Sequence, residues 1–202
     1  MNTTFFTPRE VLELIDQNTG VNPNRSDERA FLFYSGLIYP RFNEQTLGIE
    51  FLTLDYKERG TGINQKKFPG GTSQLGETAI EAAIRESGEE VGHKPAKDSL
   101  WLIHNKQIPT RSTGKIGHIK CFFLVKSIGA TIKTKTGTDE GETSPVQWTS
   151  IHDLILPQEM GGLFKNHRQA LFKSCEKLAK ENTSYRYLLR RAIEIGEFEE
   201  NC

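Results

Sequence analysis

The chain has 202 residues, 36% of them hydrophobic, enough for one domain with extensions and a real core. Its 26 Lys and Arg balance its 26 Asp and Glu, so net charge points neither to nucleic acid nor to a membrane surface, and functional charge must be local. Cys121, Cys175 and Cys202 are widely spaced, without a CxxC pair, and the five histidines lack an HxxxH spacing. This argues against a disulfide framework and suits reduced thiols in a cytoplasm. The first residues lack the pattern of a signal peptide, and no run approaches the roughly 18 apolar residues of a membrane span. A soluble, cytoplasmic protein is expected.

In chain order, "TPREVLELIDQNTG" predicts a short helix, with Thr7 as N-cap, Pro8 at the first helical position and Glu10 closing a capping box. Residues 29–40 and 47–57 are rich in β-branched and aromatic residues and predict strands; "ERGTGINQKK", 58–67, reads as a loop. Residues 68–94, "FPGGTSQLGETAIEAAIRESGEEVGHK", run from a glycine pair into a glutamate-rich helix. "SLWLIHNKQIP" and "GHIKCFFLVKSI" predict two more strands joined by the turn "TRSTGK", and a polar segment with Asp139, Glu140 and Glu142 leads to a last short strand, "VQWTSIHDLI". From about residue 160 the period becomes helical. Phe164, Leu171 and Leu178 recur every seven with Cys175 alongside, and "SYRYLLRRAIEIGEF" predicts a second helix. That stripe must bury itself, on the central domain or across a homodimer. The order predicts an α+β fold with a mixed sheet, divided into an N-terminal helical extension (1–28), a central domain (29–158) and a C-terminal helical extension (159–202).

On the central helix, Ile80, Ala83, Ile84, Ser87 and Val91 share one face, which should pack on the sheet. Glu86, Glu89 and Glu90 gather on a neighbouring face near the helix end, where the dipole already disfavours carboxylates, and Arg85 can pair with Glu81 one turn earlier. Glutamate-rich faces are usually just solvated. Here a divalent cation would relieve the repulsion, and oxygen-only ligands select Mg²⁺ or Mn²⁺ over zinc.

Gly71, five residues, Glu77, seven residues, Arg85-Glu86, two residues, Glu89-Glu90, one residue and Gly92 resemble the Nudix hydrolase signature, GX5EX7REUXEEXGU. A chance match in a chain of this length is on the order of one in a million. The two U positions, normally large aliphatics, are Ser87 and His93, so the helix–sheet contact departs from the family's. "KFPGG" before the box and "VQWTSIHDL" after the acidic loop extend the likeness to roughly 29–156.

The resemblance implies an α/β/α sandwich and hydrolysis of the pyrophosphate linkage in a nucleoside diphosphate joined to another group. Glu86, Glu89 and Glu90 would hold the metal together with the Gly70 carbonyl; Glu77 and Arg85 would orient them. The general base varies within the family, and Glu142, with Glu140 close behind, is the expected loop acid and further metal ligand. Lys66, Lys67, Gly71 and Arg111 are candidates to meet phosphate, Phe33 or Tyr34 to stack on a base if not in the core, and His93 to interact with the helix's terminal carbonyls.

Pro109 lies sixteen residues past His93, the offset of a proline in the family's ADP-ribose pyrophosphatases, so ADP-ribose or a related nucleoside diphosphate sugar is favoured. The upstream motif of coenzyme A pyrophosphatases is matched at Leu52-Thr53 and FPGG, but Asp55, Gly60 and Asn64 stand where two arginines and a glycine are expected. The alternatives are a nucleoside triphosphate, a dinucleoside polyphosphate, an RNA 5′ end, for which the neutral charge offers no basic track, and a non-catalytic nucleotide sensor.

Overall fold

The computed structural model describes residues 33–57, 62–74, 77–109, 116–126, 132 and 146–200. The expected helix after Thr7, the "TRSTGK" turn with Arg111, and the acidic loop with Asp139, Glu140 and Glu142 lie outside the described residues.

Among the described residues, eight strands form two sheets. In the first, the order is β5 (Gly70–Thr72), β1 (Phe33–Ile38), β7 (Ile116–Val125), β6 (Leu100–Pro109), and β1 runs parallel to β7 while the other pairs are antiparallel. In the second, the long β3 (Gly48–Lys57) pairs antiparallel with β2 (Pro40–Asn43), β4 (Asn64–Lys67) and β8 (Gln147–Ser150). Among the described residues the α-helices are α1 (Ala79–Glu90), α2 (Ile151–Leu154), α3 (Lys165–Glu181) and α4 (Thr183–Glu200).

The period of two along the central strands divides the core. Phe33, Leu37, Phe123 and Val125 meet Ile80 and Ala83 of α1, whereas Ile38, Phe122 and Leu124 meet Leu171, Phe172, Cys175 and Leu189 of α3 and α4. Helices therefore cover both faces of the mixed sheet. The seven-residue stripe is buried within the chain: Leu171 and Cys175 are fully enclosed, Leu178 nearly so, and Phe164 is half-buried.

Three expectations need correction. The segment read as a loop ends in β4, which forms because its backbone completes the edge of β3, although its side chains (Asn, Gln, Lys, Lys) carry no strand signal. The glycine pair, expected to form a loop ahead of the helix, instead lies in Gly70–Thr72, which pairs with β1. The extended run 29–40 is interrupted at Tyr39, so that β1 joins one sheet and β2 the other. The segment entering α3 also docks on β4: Lys66 N–H donates to the Gly162 carbonyl at 3.1 Å, and Phe164 N–H to the Lys66 carbonyl at 2.8 Å.

Candidate active site

The site is built where β5 meets the last turn of α1. The helix starts at Thr78, whose hydroxyl accepts the Glu81 N–H, while the Glu81 carboxylate accepts the Thr78 N–H at 3.1 Å. Glu81 is thereby turned toward the helix start, where Lys97 holds it at 2.7 Å, and the Lys97 hydrogen bond, followed by those from Thr78, lowers its pKa to about 2. It is not the partner of Arg85, as the spacing suggested.

Arg85 instead knits the box together. Nε donates to Glu77 at 2.9 Å, Nη1 to Glu86 at 2.7 Å and to Glu89 at 3.0 Å, and Nη2 to the Thr72 carbonyl at 2.9 Å. Burial pushes the Glu77 carboxyl up, but the Arg85 hydrogen bonds, the Gln74 N–H and the Arg85 charge outweigh it and hold the carboxyl below its usual value. Burial likewise disfavours the Arg85 cation, and its bonds to Glu77 and Glu86 outweigh that and raise its pKa. One guanidinium so fixes the loop strand, the helix and two of the three clustered carboxylates.

The third carboxylate, Glu90, is buried; its Oε2 accepts the Gly70 N–H at 2.6 Å and its Oε1 lies 3.9 Å from Lys67 Nζ. Gly70 has φ 149°, and a Cβ there would fall 2.3 Å from the Ser35 carbonyl. At Gly71 a Cβ would reach 2.5 Å from the Glu86 carboxylate. Two glycines are thus required for backbone and carboxylates to approach this closely. The sequence assigned relief of the glutamate repulsion to a cation; Arg85, Lys67 and the Gly70 N–H already meet the three carboxylates within the chain.

Among the described residues no three Asp, Glu, His or Cys side chains converge at metal-binding spacing, since Arg85 Nη1 bridges Glu86 and Glu89. The donor set still fits a hard divalent cation: it is all oxygen, Glu86 and Glu90 are cradled against the glycine strand, and the Glu89 side chain is 56% exposed and stands at the rim.

Ser87 and His93, the two departures from the signature, are joined through Tyr39. Ser87 Oγ donates to the His93 carbonyl at 2.7 Å and lies 2.6 Å from Tyr39 Oη, which is 3.1 Å from His93 Nδ1. Because the single Ser87 proton is used on the carbonyl, Tyr39 donates to Ser87 and accepts from His93 Nδ1–H. The His93 side chain thus meets Tyr39 rather than the helix's terminal carbonyls, and its backbone N–H supplies that contact, to Ser87 O at 3.4 Å. A hydrogen-bonded triad replaces an aliphatic contact under the acidic turn.

Other candidates separate. Lys66 is committed to Asp55, which also accepts from Gln147 Nε2, so it is a structural cation. Phe33 lies in the core, whereas Tyr34 is half-buried beside Lys120 and His167. Pro109 ends β6 opposite Ile116 across an irregularity in the pairing. Sequence reasoning missed Lys120 and His167. Burial alone lowers the Lys120 ammonium to about 8. His167 is buried among Phe68, Phe122 and Phe164; burial, then the Lys120 and Lys67 charges, push its pKa well below the usual value. Its Nδ1 accepts the Phe68 N–H at 3.0 Å, tying α3 to the strand that leads into Gly70. No local pattern marks either residue, because only tertiary registry brings β7 and α3 together.

The family model "NUDIX domain" matches residues 41–171, and the chain belongs to the Nudix family. It is 33% identical over 89 residues to 8-oxo-dGTP diphosphatase of Escherichia coli (strain K12); the match covers 44% of this chain and 60% of that protein. Among solved structures, the NUDIX domain of Shewanella oneidensis NrtR complexed with ADP ribose superposes with a TM-score of 0.55 at 14% identity, covering 77% of this chain and 94% of the other. A C. elegans Ap4A hydrolase binary complex gives 0.50 at 21% identity, over 74% and 98%. Likeness at these identities shows the shared mixed fold of sheets against helices. No helix among the described residues is long and apolar enough to cross a membrane.

Proposed function

We propose that the protein is a Mg²⁺-dependent pyrophosphohydrolase that cleaves the diphosphate linkage of a nucleoside diphosphate joined to another moiety, with ADP-ribose or a related sugar the preferred substrate. The observation that carries the chemistry is the complete acid set, Glu86, Glu89 and Glu90, organised by Arg85 and Glu77 against Gly70 and Gly71. Glu86, Glu89, Glu90 and the Gly70 carbonyl would hold the cation, with Glu142 from the acidic loop as a further ligand or general base. When bound, Mg²⁺ neutralises phosphate charge and acidifies a water. Arg85 keeps the carboxylates aimed, Lys67 stands beside Glu90 where a phosphate is received, and the glycines let backbone approach it.

Preference for ADP-ribose rests on Pro109 at the family's offset, where its fixed φ would set the wall of the pocket together with Arg111. The kinship with 8-oxo-dGTP diphosphatase favours a second reading, a nucleoside triphosphate substrate. The buried free thiols Cys121 and Cys175 support placement in a reducing cytoplasm. kcat/KM for ADP-ribose, nucleoside triphosphates, diadenosine polyphosphates and coenzyme A, measured at one Mg²⁺ concentration with products identified, tests the choice. AMP and ribose 5-phosphate from ADP-ribose at the highest kcat/KM is the expected result. A triphosphate favoured by more than about tenfold, some 1.4 kcal/mol in the barrier, would replace it.

A further inference from the structure

Glu86, Glu89 and Glu90 crowd the end of α1, where they repel one another and oppose the helix dipole, and the last turn carries no basic residue. Arg85 and the Gly70 N–H grip the carboxylates themselves. The backbone that carries them is held from elsewhere. Ser87 follows Glu86, lies about 60° from Glu90 around the helix axis, and is buried. Its carbonyl accepts the Val91 N–H at 2.9 Å, and its hydroxyl donates to the His93 carbonyl at 2.7 Å, so one residue closes the helix twice. The chain beyond Gly92 folds back over this turn: a Cβ on Gly88 would fall 2.3 Å from Lys94 Cε.

Tyr39 holds Ser87 in turn, at 2.6 Å. It stands between β1 and β2, where the chain passes from one sheet to the other, and its carbonyl accepts the Leu52 N–H of β3 at 3.0 Å. Its buried side chain shares a core cluster with Leu52, Ile80, Ala83 and Val91. Burial pushes the phenol up to about 12, against the opposing effect of the Ser87 bond, so the hydroxyl keeps its proton and donates at neutral pH. An aliphatic contact at Ser87 would be non-directional, whereas a hydrogen bond fixes distance and angle.

We propose that Tyr39 is a positioning residue: through Ser87 it fixes the last turn of α1 and so aims Glu86 and Glu90 at the divalent cation. The inference rests on the reading of these glutamates as metal ligands. Tyr39 thereby contributes to cation affinity rather than to the cleavage step.

Mn²⁺ titrated into the nucleotide-free protein, with free Mn²⁺ read by electron paramagnetic resonance, tests this without turnover. Wild type should bind, and Glu90→Gln should weaken binding at least about tenfold. Tyr39→Phe keeps the ring and Ser87→Ala keeps the helix; each should weaken binding by about three- to tenfold. The double variant should bind no more weakly than the worse single variant, because both remove one linkage. Ser174→Ala deletes a buried hydroxyl that bonds the Ala170 carbonyl in α3 at 2.7 Å, and it controls for lost stability alone. It should bind within about twofold of wild type. With Glu90→Gln defective, wild-type affinity in Tyr39→Phe, single effects that multiply in the double variant, or an equal loss in Ser174→Ala overturns the inference alone. Wild-type affinity in Glu90→Gln, or no binding by wild type, sinks the ligand reading and the inference with it.

Discussion

Arg85 and Ser87 show how much of the chemistry is set by single side chains. Arg85 was legible from the resemblance as the residue that, with Glu77, orients the carboxylates, but helical spacing alone named a wrong partner. Helical spacing offers Glu81, whereas the capping box takes Glu81 away and β5 delivers Glu77 and Thr72 from outside the helix. Ser87 was legible as a departure from the family's aliphatic pattern, yet its reason lies 48 residues away in Tyr39. Restoring an aliphatic there should harm this protein. Ser87→Val strands the buried Tyr39 hydroxyl and the His93 carbonyl, so it should cost about 1–3 kcal/mol in urea unfolding. Tyr39→Phe, which removes the hydroxyl itself, should cost less. A Ser87→Val variant as stable as wild type would show that the triad is incidental.

At the scale of elements, α1, β3, β6 and β7 could be read from periodicity and β-branched or aromatic runs, because each buries a patterned face. β4 and β5 could not, since backbone pairing rather than side-chain pattern makes them strands. α3 was legible as an amphipathic helix, but not its place. It closes one face of the sheet with Leu171 and Phe172, anchors Phe68 through His167, and is reached by a segment paired with β4. Leu171→Ala should therefore destabilise the entire chain by about 2–5 kcal/mol, the usual scale for a core leucine. Truncation near residue 159 should remove the cooperative thermal transition. A truncated chain that stays monomeric and melts like the full protein would refute the helix's structural role.

For the molecule as a whole, charge balance conceals local charge, such as the carboxylate cluster gathered by Arg85. Its stability should respond to acid in two windows. His167 titrates below its ordinary value when folded, so above about pH 6.5 it is neutral in both states and contributes no slope. As pH falls below 6.5 the unfolded chain takes up the proton first, and stability declines by up to about 1.4 kcal/mol per pH unit. Glu77 and Glu81 are depressed in the folded state; their stabilisation is present above about pH 4.5 and is lost as pH falls further, for Glu81 toward about 2. Urea unfolding at pH 7.5, 6.0 and 5.0 should show a decline that His167→Gln abolishes; a wild-type profile flat over that range would contradict the assignment.

In the proposed function the carboxylates gathered by Arg85 and the glycine strand carry out metal-dependent hydrolysis of a nucleotide pyrophosphate. The most direct test is kcat/KM at saturating Mg²⁺ for Glu89→Gln and Glu90→Gln against wild type, with melting temperature recorded in EDTA. Both variants should lose about 10²–10⁴ in turnover while remaining folded. Wild-type rates in both variants would show that these glutamates do not hold a catalytic metal.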